Sequence, residues 1–176
     1  ATSWNPSPNN RVRSITSDGS NIYVGGDFTL VGSDSRLRLA AFDVATHSLT
    51  AWSPDANSSV YSLVLYNSDV YIGGGFTDIN GSTRNRLASI STSGTLNSWN
   101  PSANLIVREL HLKNTTLYVG GFFTSIDGVT HSRVASFDLT DGSLTTWNPG
   151  TISGGVFVIT SSASRLYVGG QFGFAA

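Results

Sequence analysis

One unit is repeated almost four times along this chain, and the repeat constrains its fold more than any other feature. Each copy opens on a tryptophan that is followed by Asn-Pro or Ser-Pro. These tryptophans are 47 or 48 residues apart, at Trp4, Trp52, Trp99 and Trp147. A repeat of this length predicts a solenoid, a propeller or another array, because a single unit cannot bury its own apolar face.

A second phrase, Tyr-Val-Gly-Gly or Tyr-Ile-Gly-Gly, follows each tryptophan after about 20 residues, at Tyr23, Tyr71, Tyr118 and Tyr167. Its glycines predict a β-bulge or a close approach of the backbone. A phosphate loop is disfavoured, because no helix start follows the glycines. The tryptophans recur in equivalent places, which predicts a shared packing role.

Each unit contains four segments of strand character, separated by turn residues. In the second copy these segments are 60–65, 70–76, 86–90 and 95–99. The first two are rich in β-branched and aromatic residues and are joined by a polar turn, as in a hairpin. Four short antiparallel strands per unit are typical of a propeller blade. We therefore predict an all-β, β-propeller-like fold of about four four-stranded blades, the last of which is incomplete.

We predict one repeat domain over residues 1–176, with units at 4–51, 52–98, 99–146 and 147–176. The last unit has a first and a second strand but no full third or fourth, and residues 1–4 are a candidate closing strand. Three interpretations remain open. The chain is a four-bladed propeller with a short last blade, an excerpt of a longer propeller, or a subunit whose open blade is completed by a strand from another copy.

Composition excludes several classes of function. The net charge is −1 with a single lysine and a single glutamate, so the basic stripe of a nucleic-acid-binding protein is missing. Cysteine is absent, which excludes disulfides and thiolate metal sites. No apolar run reaches the length of a spanning helix, and we predict no membrane insertion. The 27 serines and 18 threonines favour an extracellular or cell-surface protein.

The combined pattern resembles a known family. The phrases W-N-P, V-x-S-[IL], [IV]-Y-V-G-G-x-F-T, R-[LV]-A-[AS]-F-D and G-x-L-x-x-W are similar to the delta-sixty-type β-propeller repeats of bacterial secreted and surface proteins. This resemblance covers essentially the whole chain, and the Tyr-Val-Gly-Gly phrase also resembles kelch blades more weakly. It implies the propeller fold and a secreted or surface location, and it names no activity.

A recurrent group of arginines precedes the third strand of each unit, at Arg36, Arg38, Arg84, Arg86 and Arg133. The functional interpretation is an anion-binding ring at one mouth of the channel, with Arg36 and Arg84 as candidate ligand-binding residues. The structural interpretation is that planar donor forks tie each loop to neighbouring carbonyls, or to Asp43 and Asp138. Repetition favours the structural role.

Oxygen-bearing side chains occur in the loops after the second strands, at Asp27, Asp34, Asp78, Asn80 and Asp127. Clustered oxygens suit calcium, so Asp27, Asp78, Asn80 and Asp127 are candidate ligand-binding residues. None has the spacing of a calcium loop, and Asx turns explain them better.

The residue before the recurrent phenylalanine varies between copies, as Asp27, Gly75, Phe122 and Gln171, and it is a candidate for lining one face or the channel. The three histidines occupy different places in the unit, so we predict no metal site. We predict no cofactor either. Possible glycosylation sites are the sequons at Asn57, Asn80 and Asn114, all in predicted turns.

The function favoured by these patterns is a non-catalytic, extracellular structural or interaction module. Its expected partners are other copies of itself or other surface proteins, and glycans are further candidates. The alternative is a carbohydrate- or calcium-binding module that uses its blade loops. A hydrolase with a site at one mouth is less favoured, because no pair of opposed carboxylates stands out.

Overall fold

The structure, a computed structural model, describes residues 4–172, and these contain 18 strands and no helix. The strands are β1 (Val12–Ser17), β2 (Asn21–Gly26), β3 (Leu30–Val31), β4 (Asp34–Ser35), β5 (Leu39–Asp43), β6 (Val60–Tyr66), β7 (Asp69–Gly74), β8 (Asp78–Ile79), β9 (Ser82–Thr83), β10 (Leu87–Ser91), β11 (Val107–Lys113), β12 (Thr116–Gly121), β13 (Ser125–Ile126), β14 (Val129–Thr130), β15 (Val134–Asp138), β16 (Ser143–Leu144), β17 (Val156–Ser161) and β18 (Leu166–Gly170).

The strands form four antiparallel blades, which confirms the predicted all-β, propeller-like class. Blade 1 has the order β1-β2-β5, blade 2 has β6-β7-β10, blade 3 has β11-β12-β15-β16, and blade 4 has the pair β17-β18. The first strands of successive blades pack on one another. Within residues 4–172, no sheet joins blade 4 to blade 1.

The predicted fourth strands are shorter than expected. Only blade 3 has a two-residue strand there, while blades 1 and 2 have single bridges, Phe42 to Leu49 and Ile90 to Leu96. Proline follows each tryptophan and cannot donate to a ladder, so pairing stops early. The loops after the second strands were predicted as turns, and they also contain small hairpins, β3-β4, β8-β9 and β13-β14.

Each innermost strand contains a β-bulge near its start. The register with the second strand shifts between Val12 and Ser14 in blade 1, and at the equivalent place in the other three blades. The second glycine of each pair lies opposite this bulge. At Gly26, for example, a Cβ would strike the carbonyl of Arg11, so only glycine fits.

The first glycine of each pair allows the next blade to approach closely. A Cβ on Gly25, Gly73 or Gly120 would lie 2.9, 2.8 or 2.7 Å from a valine methyl of the following blade. Real side chains do not tolerate such contacts without a shift of the neighbour. The predicted role of the glycines in close backbone approach is confirmed.

The tryptophans also join neighbouring blades. The indoles pack edge-to-face on the tyrosines of the preceding unit, with ring centroids 5.0 to 5.3 Å apart, in the pairs Trp52–Tyr23, Trp99–Tyr71 and Trp147–Tyr118. The Nε1 groups of Trp52 and Trp99 donate to backbone carbonyls of their own blades. This geometry confirms the predicted packing role.

Trp4 belongs to the same series. Its ring packs against Phe42, and its Nε1 donates to the carbonyl of His47, both in unit 1. In the proposed closing strand over residues 1–4, residues 1–3 lie outside the described residues. The one described member, Trp4, packs within unit 1 through its contacts with Phe42 and His47.

An asparagine near the start of each complete unit clamps the loop that follows the second strand. Asn104 Oδ1 accepts from the backbone N–H groups of Thr124 and Ser125, and its Nδ2 donates to Thr124 Oγ1. Asn9 and Asn57 make the same set of bonds. The clamp satisfies backbone donors that the short hairpins leave without a ladder partner.

We expect Asn104→Ala to lower the free energy of unfolding by about 1 kcal/mol, because it removes the acceptor of two backbone N–H groups in an exposed loop, where water replaces part of the lost bonds. Asn104→Asp keeps that acceptor and loses only the Nδ2 donor, so it should cost clearly less. Urea unfolding of both variants measures the difference. Equal losses in the two variants would contradict the clamp.

Candidate functional site at the inner rim

The bulge of each innermost strand directs one side chain to the inner rim of the blades. These residues alternate between cation and aromatic ring, as Arg13, Tyr61, Arg108 and Phe157. The guanidinium carbons of Arg13 and Arg108 lie 4.8 and 4.3 Å from the centroid of the Tyr61 ring. Arg108 also lies 5.7 Å from the Phe157 ring. The rim is therefore a row of cation–π contacts.

The variable position before the recurrent phenylalanine lies beside this row. In blade 1 it is Asp27, whose carboxylate accepts from Arg13 Nε at 2.7 Å and from Nη2 at 2.6 Å. These bonds hold the pKa of Asp27 below its usual range and raise that of Arg13. In blade 3 the position is Phe122, which packs on Phe157 with ring centroids 5.6 Å apart.

Arg108 differs from Arg13 because blade 3 offers it no carboxylate at the position of Asp27. Its Nε is buried, and among the described residues it has no hydrogen-bond partner. Arg108 borders a cavity of about 320 Å³ that is also lined by Arg11, Arg13 and Glu109, together with apolar and aromatic side chains.

Glu109 replaces a serine that blades 1 and 2 have in common. Ser14 Oγ accepts from the backbone N–H of Leu63, and Ser62 Oγ accepts from that of Leu110, so each serine links one blade to the next. Over residues 4–172 no such bond reaches Ile159 from Glu109. Burial raises the pKa of Glu109 to about 7, and the positive charge of Arg108 opposes part of that rise.

The arginines before the third strands have structural contacts. Arg36 and Arg84 donate through Nη2 to the carbonyls of Thr50 and Asn97, at 3.1 and 2.8 Å. The others also donate to loop carbonyls, in the pairs Arg38–Ala56, Arg86–Ala103 and Arg133–Phe122. The structural interpretation therefore fits, with one correction. The partners are carbonyls, because the carboxylates of Asp43 and Asp138 cap their own turns instead.

Three candidate oxygen ligands accept hydrogen bonds from backbone N–H groups, Asp78 within its own turn and Asn80 and Asp127 from the loop at the start of the unit. Asp78 Oδ1 accepts from the N–H of Gly81, Asn80 Oδ1 from that of Asp55, and Asp127 Oδ1 from that of Ser102. Asn80 and Asp127 have φ angles of 53° and 50°, which these residue types tolerate in turns. The loop residues are thus spread over separate turns, and the described part of the chain has no group of three acidic or histidine side chains placed to hold a metal.

The three sequons differ in whether the asparagine side chain is held by hydrogen bonds. Asn57 uses both ends of its amide in the loop clamp, and Asn80 Oδ1 accepts from the backbone N–H of Asp55. Asn114 is exposed in the turn between β11 and β12. The glycosylation of all three remains a prediction.

The fold places the chain in the class of β-propeller proteins, and comparison with known families gives the same class. The sequence model of one family, described as a domain of unknown function (DUF5122) beta-propeller, matches residues 70–98 and 116–144. These segments cover the second strand to the unit end in blades 2 and 3. The chain is a β-propeller repeat protein, as its resemblance to delta-sixty-type repeats implied.

Two solved structures share the arrangement. The computationally designed Ika4 protein superposes with a TM-score of 0.61 at 10% identity, over 92% of this chain and 86% of that one. The extracellular domain of the putative one component system BT4673 from B. thetaiotaomicron gives 0.59 at 14% identity, over 90% of this chain and 19% of that one. At these identities the likeness concerns the fold alone.

No curated protein matches the chain in sequence. Residues 4–172 include no helix that could span a membrane.

Sequence reasoning singled out Asp27 and the variable position but missed the row of rim residues. Arg13, Tyr61, Arg108 and Phe157 have no common chemistry, so comparison of the copies shows only a position that varies. The signal was positional. Each follows a recurrent valine, and the next apolar position shared by the copies lies three residues after that valine, a spacing that breaks strict alternation and indicates a bulge.

The pKa of Glu109 predicts how stability depends on pH. The folded value of about 7 lies above the ordinary 4.5, so the folded state binds the proton more tightly and loses stability as pH rises through this window. Between pH 5 and pH 8, the Glu109→Gln variant should lose about 1 kcal/mol less stability than the wild type. The difference is modest because solvent screens a carboxyl that is only partly buried.

Glu109→Ser should stabilise the protein further at pH 8, since it restores the hydroxyl that links blades elsewhere. Chemical unfolding at both pH values measures the effect. Stability profiles that run parallel for the wild type and Glu109→Gln would show that Glu109 does not titrate in this way.

Proposed function

We propose that this chain is a non-catalytic, extracellular structural module that assembles with copies of itself through its exposed blade faces. One observation carries the proposal. Within residues 4–172, the first and last blades each leave a face uncovered, and the two faces have the same complementary shapes that join the blades inside the chain.

The leading face, on blade 1, consists of Trp4, Val12, Ile15 and Ile22. Val12 and Ile15 are 37% and 65% exposed, whereas the equivalent residues of the other blades are at most 5% exposed. Trp4, Val12 and Ile15 line an apolar cavity of about 260 Å³. An apolar surface of this kind favours burial against a partner.

The trailing face, on blade 4, consists of Val158, Tyr167 and Gly169. Tyr167 is 50% exposed, whereas the equivalent Tyr23 is fully buried against the tryptophan of the next unit. A Cβ on Gly169 would approach only Val158 of its own hairpin. The space that a valine of the following blade occupies elsewhere is therefore open here.

The two faces fit one another in the pattern of the internal joints. Among the described residues, Trp4 lacks the tyrosine that covers the other tryptophans, and Tyr167 lacks a tryptophan. Likewise, no glycine of a preceding blade lies against Val12, and no valine of a following blade lies against Gly169. A second copy, placed as the next blade, supplies each missing partner. Such a joint is head-to-tail, so it produces closed rings or extended arrays.

The proposed contact forms between the faces of two blades. It therefore differs from the strand addition that the incomplete last blade suggests from the sequence. In strand addition a copy would extend the edge of blade 4 with hydrogen bonds. The exposed apolar side chains lie on the faces, and their burial favours stacking of blades. An incomplete edge on blade 4 is compatible with either arrangement.

An extracellular location is supported by the serine- and threonine-rich composition and by the fold shared with an extracellular domain. The alternative of a carbohydrate- or calcium-binding module using its loops has less support, because the loop oxygens of Asp78, Asn80 and Asp127 accept hydrogen bonds from backbone N–H groups.

The mass of the 176-residue chain in solution tests the proposal. Light scattering across a concentration series should give a dimer or a larger assembly. Ile15→Asp places a charge on the leading face and should give a monomer. Val129→Asp makes the same kind of change at a valine of similar exposure (52%) that lies on neither face, and it should assemble as the wild type does.

Mixing experiments test whether the joint is head-to-tail. Ile15→Asp leaves the trailing face intact, and Tyr167→Asp leaves the leading face intact. Each variant alone should be monomeric, and an equimolar mixture should form a one-to-one complex. A wild-type chain that stays monomeric at high concentration, or a mixture that does not associate, would overturn the proposed joint.

A further inference from the structure

Arg108 is a cation of the inner rim whose side-chain donors have no acceptor among the described residues. A buried Nε without an acceptor is not special to it, since the same is found at Arg36, Arg84, Arg86 and Arg133, but each of those donates through a terminal nitrogen to a carbonyl. Arg108 makes no side-chain hydrogen bond within residues 4–172, so its free terminal donors are what distinguish it. Such donors in a native structure call for a water, an ion or a ligand that satisfies them.

Blade 1 shows what a satisfied rim arginine looks like. Arg13 makes a bidentate ion pair with Asp27. At the position of Asp27, blade 3 has Phe122, which carries no acceptor and packs on Phe157. The rim therefore holds one neutralised guanidinium and one without a partner, on opposite sides of Tyr61.

The stacking of Arg108 leaves its donors available. The guanidinium carbon of Arg108 lies 4.3 Å from the centroid of the Tyr61 ring, so the ring restrains the group, while no acceptor among the described residues occupies its terminal nitrogens. Because the aromatic ring holds the plane in place, little side-chain entropy is lost when an anion binds. A planar fork of this kind is suited to the two oxygens of a carboxylate.

The cavity beside Arg108 has walls of mixed character. Phe157, Tyr61 and Val12 supply apolar surface, and Arg11 is an exposed second cation at its margin. Its volume of about 320 Å³ lies at the small end of the range for ligand sites, enough for a single ring with its substituents. Glu109 also borders the cavity, and its raised pKa weakens it as a counter-ion for Arg108.

We propose that this rim cavity binds the carboxylate of a single-ring organic acid, of which a sugar acid is the class that suits an extracellular module. Arg108 binds the carboxylate through its in-plane donors, and Phe157 and Val12 contact the ring. Arg11 raises the local concentration of anions at the mouth. The site shares only Val12 with the leading face, and its cations lie on the rim, so we expect the same binding in the monomeric variant.

Titration calorimetry with galacturonate tests the site, with galactose as the neutral counterpart and sulfate as a simple anion. Galacturonate should bind saturably, and both galactose and sulfate should bind at least tenfold more weakly. Arg108→Gln should weaken galacturonate binding at least tenfold. Arg165→Gln removes the same charge from an exposed arginine in the turn between β17 and β18, and it should leave binding unchanged.

A second variant keeps the test valid if Arg108→Gln does not fold. Asp27→Asn frees the donors of Arg13 and removes a negative charge from the rim, so it should tighten galacturonate binding severalfold. Repeating the titration with the monomeric Ile15→Asp variant separates ligand binding from assembly. Equal binding of galactose, equal binding of sulfate, or unchanged binding in Arg108→Gln would each overturn the proposed site.

Discussion

The close contact between successive blades is the constraint on which the rest of the structure depends. At each joint between blades, a valine methyl lies 2.7 to 2.9 Å from where a Cβ on the first glycine of the previous blade would be, so only glycine fits there without a shift. This approach brings tyrosine and tryptophan into edge-to-face contact and buries the first strands side by side. Each blade consequently has two faces of different shape. A face without a neighbouring blade keeps the same surface that packs against a blade elsewhere in the chain.

The β-bulge has a second consequence, which concerns the inner rim. It places one side chain per blade outside the regular alternation, where packing between blades no longer determines residue type. Recurrent positions such as the tryptophans, the glycines and Asn104 build the fold, while Arg13, Tyr61, Arg108 and Phe157 are free to differ. Chemistry specific to this chain is therefore concentrated at the rim, and the unpaired Arg108 is its clearest instance.

Much of the architecture could be predicted from residue patterns. The strands predicted at 60–65 and 70–76 agree with β6 and β7 to within two residues, because β-branched runs and turn residues are local signals. The structural role of Arg36 and Arg84 also followed from repetition. The small hairpins after the second strands were missed, because two-residue strands leave no periodicity to detect. Asp43 and Asp138 were wrongly considered as arginine partners, since hydrogen bonds to their own turns are more local.

The sequence by itself determined the repeat, the all-β class and the packing roles of the tryptophans and glycines, because these depend on spacing and on residue size within one unit. Only the tertiary structure decided which side chains meet across units. The ion pair of Arg13 with Asp27, the isolation of Arg108 and the burial of Glu109 each depend on the bulge register and on how one blade lies against the next. Copies about 48 residues apart come into contact only through that stacking, so their contacts have no local signature in the chain.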